Sequence, residues 1–139
     1  MTVRGTLVLD SEGLSQLAGG SPRALARLKA ARARGAHVVV SAITLTEVLR
    51  GKATDAHVHR VLSSVTVRPV SRDVAREAGE LLGETGLSGH SCAIDAVVAA
   101  TALREERPVV VLTSDPDDLK QLVEEPARPK QQRVVVVTL

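Results

Sequence analysis

The sequence contains no phenylalanine, tyrosine or tryptophan, and only one cysteine and one methionine in 139 residues. Without aromatic rings the core must be built from Leu, Val, Ile and Ala. Nor can any bound nucleic acid be held by bases stacked on aromatic side chains. Four histidines and the arginines supply the remaining planar groups, so contact with RNA or DNA would fall chiefly on phosphates. The lone Cys92 excludes an intrachain disulfide, and a reducing cytoplasm is the expected setting. No apolar run approaches the ~18 residues that span a bilayer, so no membrane association is expected. The opening "MTVRGTLVLD" lacks the apolar stretch and small-residue cleavage site of a signal peptide.

What is present is an aliphatic, globular composition, 44% hydrophobic, of a length suited to one domain over residues 1–139. The net charge of +2 is unevenly spread. Residues 1–70 hold 10 Lys and Arg against 4 Asp and Glu, whereas residues 71–139 hold 8 against 12. Part of the excess lies in "RALARLKAARARG", residues 23–35. The simpler reading is a solvated amphipathic helix; the other is a surface that attracts a polyanion.

Strand and helix signals alternate along the chain. "TLVLD" (6–10), "HVVVS" (37–41), "VTVRPV" (65–70), "PVVVLTS" (108–114) and "RVVVVTL" (133–139) read as strands, the third an edge strand because Pro69 cannot donate to a ladder. Helices are expected over 21–35, 42–51, 55–64, 71–86, 90–106 and 115–125. The first begins Ser-Pro, ends in Gly and buries Leu25, Leu28 and Ala31 on one face. Such alternation predicts a three-layer α/β/α domain with a mostly parallel, about five-stranded sheet. Ligands then bind beyond the C-terminal strand ends, where the strand order reverses.

That rule gives meaning to the acids. Asp10 and Asp115 follow the first and fourth strands, and become neighbours if those strands are adjacent. Glu47 lies in the helix after the second strand, and Asp95 interrupts the apolar helix "SCAIDAVVAA". Each has a bland reading: a turn residue for Asp10, an ion pair with Arg50 for Glu47, a dipole-favoured position for Asp95, and helix capping for "SDPDDL". Burying an unpaired carboxylate among Ala, Ile and Val is costly, which makes Asp95 the most informative of the four. Four carboxylates converging on one crevice would require a counter-ion, and an all-oxygen site suits a hard divalent cation. Metal-assisted phosphodiester hydrolysis is the chemistry that follows. His57 and His59, at i and i+2, do not share a helix face, and His90 with Cys92 lacks the further ligands of a zinc site.

Taken in order, "LVLDSEGL", "TLTEVLRG", "AIDAVVAATA" and "VLTSDPDDL" resemble the four motif regions of PIN-domain nucleases, and of their VapC-like toxins in particular. The resemblance implies a five-stranded parallel sheet and a catalytic, metal-binding set of Asp10, Glu47, Asp95 and Asp115. Asp118 is a further candidate at the variable fourth position, and Thr113 matches a hydroxyl residue of the last motif. It also implies Mg²⁺- or Mn²⁺-dependent cleavage of RNA to a 5′-phosphate and a 3′-hydroxyl, an antitoxin partner and a homodimer. Arg50 and Lys52, just past Glu47, are candidate phosphate contacts. Two alternatives share the motifs: a non-catalytic PIN-like module that binds RNA as a scaffold, and an RNA-processing nuclease that is not a toxin. A phosphoacceptor receiver domain fits poorly, because the third strand runs into "RPVSRD" with Asp73 inside the next helix.

Overall fold

The structure, a computed structural model, describes residues 4–139. Five strands, β1 (Thr6–Leu9), β2 (His37–Ser41), β3 (Thr66–Arg68), β4 (Val109–Thr113) and β5 (Val135–Thr138), form one sheet in the order β3-β2-β1-β4-β5. Every pairing is parallel, and β1 pairs with β4 in the register Thr6↔Val109 to Leu9↔Leu112. The order reverses between β1 and β4, so the crevice of the sheet opens there.

Two aliphatic layers cover the sheet. Leu7 and Leu9 of β1 face α1 (Ser11–Ala18), α2 (Pro22–Ala33), α3 (Leu45–Val48) and α4 (Asp55–Leu62), through Leu14, Leu17, Ala24, Leu28 and Val58. Val8, Val109 and Val111 face α5 (Arg72–Thr85), α6 (Gly89–Leu103) and α7 (Pro116–Leu122). Ala96, Ala99, Ala100 and Ala102 are buried on α6, and their small size lets this central helix approach the sheet closely without aromatic filler.

The helix α1 was not expected. Its eight residues include Gly13 and end at Gly19-Gly20, a weak helical sequence. Burial of Leu14 and Leu17 and capping by Asp10 offset that weakness. On α2 the buried line is Ala24, Leu28 and Ala31, with Leu25 36% exposed, because the helix is rotated toward its smallest residues. The helix expected over 42–51 is a 3₁₀ turn at Ala42–Thr44 leading into the single turn of α3. It stops where Leu49 turns extended, and the Asp55 carboxylate accepts hydrogen bonds from the N–H groups of Arg50 (2.9 Å) and Gly51 (2.7 Å). These bonds, that of Arg50 foremost, hold the Asp55 carboxyl below its ordinary pKa.

Gly13 lies where α1 crosses the end of β4, and a Cβ built there would stand 2.9 Å from the Leu112 carbonyl oxygen. Gly79, in the middle of α5, has open space around the same position. The two substitutions to alanine should therefore have opposite signs in urea denaturation. Gly13→Ala is expected to destabilise by about 1–3 kcal/mol, and Gly79→Ala to stabilise by about 0.5–1 kcal/mol. A Gly13→Ala protein as stable as the parent would remove the close α1–β4 approach.

Candidate active site

Adjacency of β1 and β4 brings the ends of two distant segments together. Asp10 follows β1 and caps α1: its Oδ1 accepts a hydrogen bond from Gly13 N–H at 2.8 Å, and its own N–H donates to the Leu112 carbonyl at 3.3 Å. The residue is 8% exposed. Burial raises its pKa, while the Thr113 hydroxyl and the N–H groups of Gly13 and Glu12 oppose that rise. Asp10 is thus both the turn residue of the bland reading and a nearly buried carboxylate at the sheet edge.

Thr113 ends β4 fully buried, and its Oγ1 accepts the N–H of Asp115 at 3.1 Å. Asp115 occupies the N-cap position of α7, but its exposed side chain makes no capping hydrogen bond. Asp118, one turn on, is half-buried, and its Oδ2 accepts the Cys92 thiol at 3.5 Å. Cys92 itself is buried, one turn before Asp95 on α6.

Asp95 stands in the second turn of α6, beyond the first turn in which a helix dipole stabilises an acid. The dipole reading therefore does not account for it. Its pKa is pushed up to about 6, first by burial and then by the charges of Asp10, Asp118, Glu47 and Asp115, in that order. All four sequence-predicted acids, with Asp118, are thus close enough for their charges to act on one carboxylate. Asp118 acts on Asp95 more strongly than Asp115 does, although the chain pattern ranked them the other way.

Glu47 projects from α3, exposed and in no ion pair among the described residues. The ion pair with Arg50 that was the bland reading is not formed: Arg50 Nη1 donates instead to the carbonyls of Leu49 (2.8 Å) and Thr46 (3.2 Å). Arg50 and Lys52 are exposed in the loop beyond α3. Sequence reasoning did not single out Thr44, whose buried Oγ1 has no hydrogen-bond partner among the described residues. Its only signal was a hydroxyl inside an apolar run at the end of β2.

The donors are all carboxylate oxygens, which is the chemistry of a hard divalent cation. As the side chains stand, no group of three or more His, Cys, Asp or Glu among the described residues is arranged to hold a metal ion. Asp10 is fixed by its capping bond, Asp95 by its place on α6 and Asp118 by Cys92, whereas Glu47 and Asp115 are exposed. Glu47 and Asp115 are thus the less constrained of the five acids. The raised pKa of Asp95 reflects its burial first and the neighbouring carboxylates second.

That pKa has a stability consequence whose sign is fixed. Asp95 binds its proton more tightly in the folded than in the unfolded chain, so it destabilises the fold as pH rises from about 4 to about 6. Asp95→Asn is expected to leave stability unchanged near pH 4. In metal-free buffer at pH 7.5 it should raise stability by about 1–2 kcal/mol, a figure already reduced for the partial exposure of the group. Urea titrations of both proteins at the two pH values check this. Equal stabilities at pH 7.5 would mean that Asp95 is not crowded by the other acids.

The PIN domain family model matches residues 7–124. No curated protein matches the sequence. Among solved structures, a chain of the VapBC2 complex of Rickettsia felis, bound to a DNA fragment from their promoter, is 15% identical with a TM-score of 0.67. That likeness covers 95% of this chain and 98% of the other. A chain of a toxin–antitoxin complex from Klebsiella pneumoniae is 24% identical with a TM-score of 0.62, over 95% of this chain and 96% of that one. At these identities the likeness is one of fold, and it agrees with the five-stranded parallel sheet described above. With a family model that spans most of its length, this chain belongs to the PIN domain family.

Proposed function

We propose that this protein is a divalent-metal-dependent endoribonuclease and the toxin of a type II toxin–antitoxin pair. The observation that carries the reading is the crowding of Asp10, Glu47, Asp115 and Asp118 around Asp95 at the C-terminal edge of the β1–β4 crevice. Family membership supports the nuclease activity. The shared fold with chains from two toxin–antitoxin complexes supports an antitoxin partner. RNA as substrate, a homodimer and a cytoplasmic location complete the proposal. Among the described residues no helix is long and apolar enough to cross a membrane.

In this reading Asp10, Glu47 and Asp95, with Asp115 or Asp118, hold Mg²⁺ or Mn²⁺. Such an ion, when bound, lowers the pKa of water and neutralises charge at the scissile phosphate. The chain's own part is positional and protonic. Asp10 is pinned by the Gly13 N–H, so one ligand is oriented before any ion arrives. Asp95, partly protonated near pH 6, must lose that proton for the cluster to take up a cation, so cation affinity falls as pH falls through about 6. The ionised carboxylates then orient water for in-line attack. Arg50 and Lys52 would neutralise flanking phosphates.

One observation favours the alternative of a PIN-like module that binds RNA without turnover: no three ligands are gathered as the side chains stand. Cleavage of a labelled RNA by the parent protein and by Asp95→Asn, in Mg²⁺, Mn²⁺ or EDTA, separates the two. The nuclease reading expects cleavage by the parent with either metal, none in EDTA, and a loss of at least about 100-fold in the variant. Saturating Mn²⁺ should also stabilise the parent by about 2.7 kcal/mol at 100 times its dissociation constant, with a smaller effect on Asp95→Asn. RNA binding without metal-dependent cleavage would leave the scaffold reading in place.

A further inference from the structure

The helices on the two faces of the sheet treat their positive charges differently. Every ion pair among the described residues takes its acid from residues 73–125, and none involves a residue of α1, α2, α3 or α4. On the α5–α7 side Arg76, Arg104, Arg107 and Arg128 are each paired with a carboxylate, while Arg72 and Lys120 are in no ion pair among the described residues. On the other side, residues 11–62 carry 8 Lys and Arg against 3 acids, Glu12, Glu47 and Asp55. Asp55 is engaged by backbone N–H groups, and Glu47 belongs to the carboxylate crevice.

The excess is concentrated on α2 and its C-cap, where Arg23, Arg27, Lys29, Arg32 and Arg34 are charged and no acid occurs. This opposes the helix's own preference. No acid stands in the first turn, where the dipole favours one, and Arg23 and Arg27 are like charges at i and i+4. Arg23, Arg27 and Arg34 fall within about 40° of one another around the axis, and so form one stripe about 16 Å long. The buried line of Ala24, Leu28 and Ala31 is about a quarter turn away. Arg32 lies on the opposite flank and donates to the carbonyl (3.2 Å) and Oγ (3.1 Å) of Ser64. Arg23 and Arg27 are exposed and Arg34 is half-buried, and none of the three is in an ion pair among the described residues.

Its direction matters as much as its charge. The helix runs back against the parallel strands and turns at Gly35 straight into β2. Arg34 therefore lies toward the N-terminal strand edge, and Arg23 toward the edge that bears the carboxylates. Without aromatic side chains the chain cannot hold a strand by stacking, so phosphate neutralisation is the available means.

We propose that the α2 stripe of Arg23, Arg27 and Arg34 is a track for the RNA backbone, leading single-stranded substrate to the carboxylate crevice. The inference rests on the nuclease reading for the identity of the polyanion, but its test does not need cleavage. Binding of fluorescein-labelled single-stranded RNA is followed by anisotropy in EDTA, over a series of salt concentrations. The triple variant Arg23→Gln/Arg27→Gln/Arg34→Gln should bind at least about tenfold more weakly, whatever the RNA sequence. Its dependence of log affinity on log salt should be shallower by about 0.7 for each lost contact. The triple Arg→Lys variant should bind like the parent, since the contact needs charge rather than a guanidinium fork. Arg76→Gln/Arg104→Gln/Arg128→Gln, an equal charge change on the other face, should alter affinity less than twofold.

Circular dichroism establishes that each variant is folded before it is scored. Unchanged RNA affinity in the α2 triple, or an equal loss in both glutamine triples, overturns the proposal. Unchanged RNA affinity with lost binding to poly-glutamate would also overturn it, and would assign the stripe to an acidic protein segment instead. The nuclease reading fails separately: α2-dependent binding without metal-dependent cleavage removes catalysis and keeps the track, whereas cleavage with α2-independent binding does the reverse.

Discussion

The pairing of β1 with β4 is the constraint on which the rest of the structure depends. It places the order reversal of the sheet between one strand followed by Asp10 and another that ends in Thr113, and it fixes the hydrogen bond from Asp10 to Leu112. The close crossing of α1 over the end of β4 follows from it, and so does the need for a residue without a side chain at Gly13. Any other neighbour for β1 would leave Asp10 and the Asp115–Asp118 segment on separate parts of the sheet edge.

Around that pairing the protein concentrates negative charge at a cost. Asp95 is held on an alanine-rich helix whose burial fixes its position, and its own burial, followed by the surrounding acids, pushes its pKa up to about 6. A well-packed apolar residue there would suit the fold better, so the strain is electrostatic and local. The aliphatic core tolerates it because both layers are closed independently of the crevice, one through the leucines of β1, α1 and α2 and the other through valines and the alanines of α6.

Positive charge is distributed by a complementary rule. Where arginines serve the fold, as at Arg104 with Glu77 or Arg107 with Glu125, a carboxylate lies within 3 Å. On α2 the arginines have no carboxylate partner, and the helix is held by the burial of Ala24, Leu28 and Ala31 and by the bonds of Arg32 to Ser64. Acidic crevice and cationic helix are thereby offered on one molecule of net charge +2, a value that conceals both.

Much of the architecture was legible in the chain. Five apolar runs separated by helical periodicity specified a parallel α/β sheet, Pro69 marked an edge strand, and the positions of four acids relative to those runs pointed to one edge. Local chemistry suffices for such statements because burial period, capping and proline geometry are properties of short segments. What the chain could not reveal were features that exist only between segments: α1, whose weak sequence is rescued by packing; the rotation of α2 that exposes Leu25; the release of Arg50 from Glu47; and the stronger hold of Asp118 than Asp115 on Asp95. Sequence determined which side chains carry charge and which strands end beside them. Tertiary structure alone decided which of those charges feel one another, because Coulomb energy depends on distance and burial, and both are set by strand order.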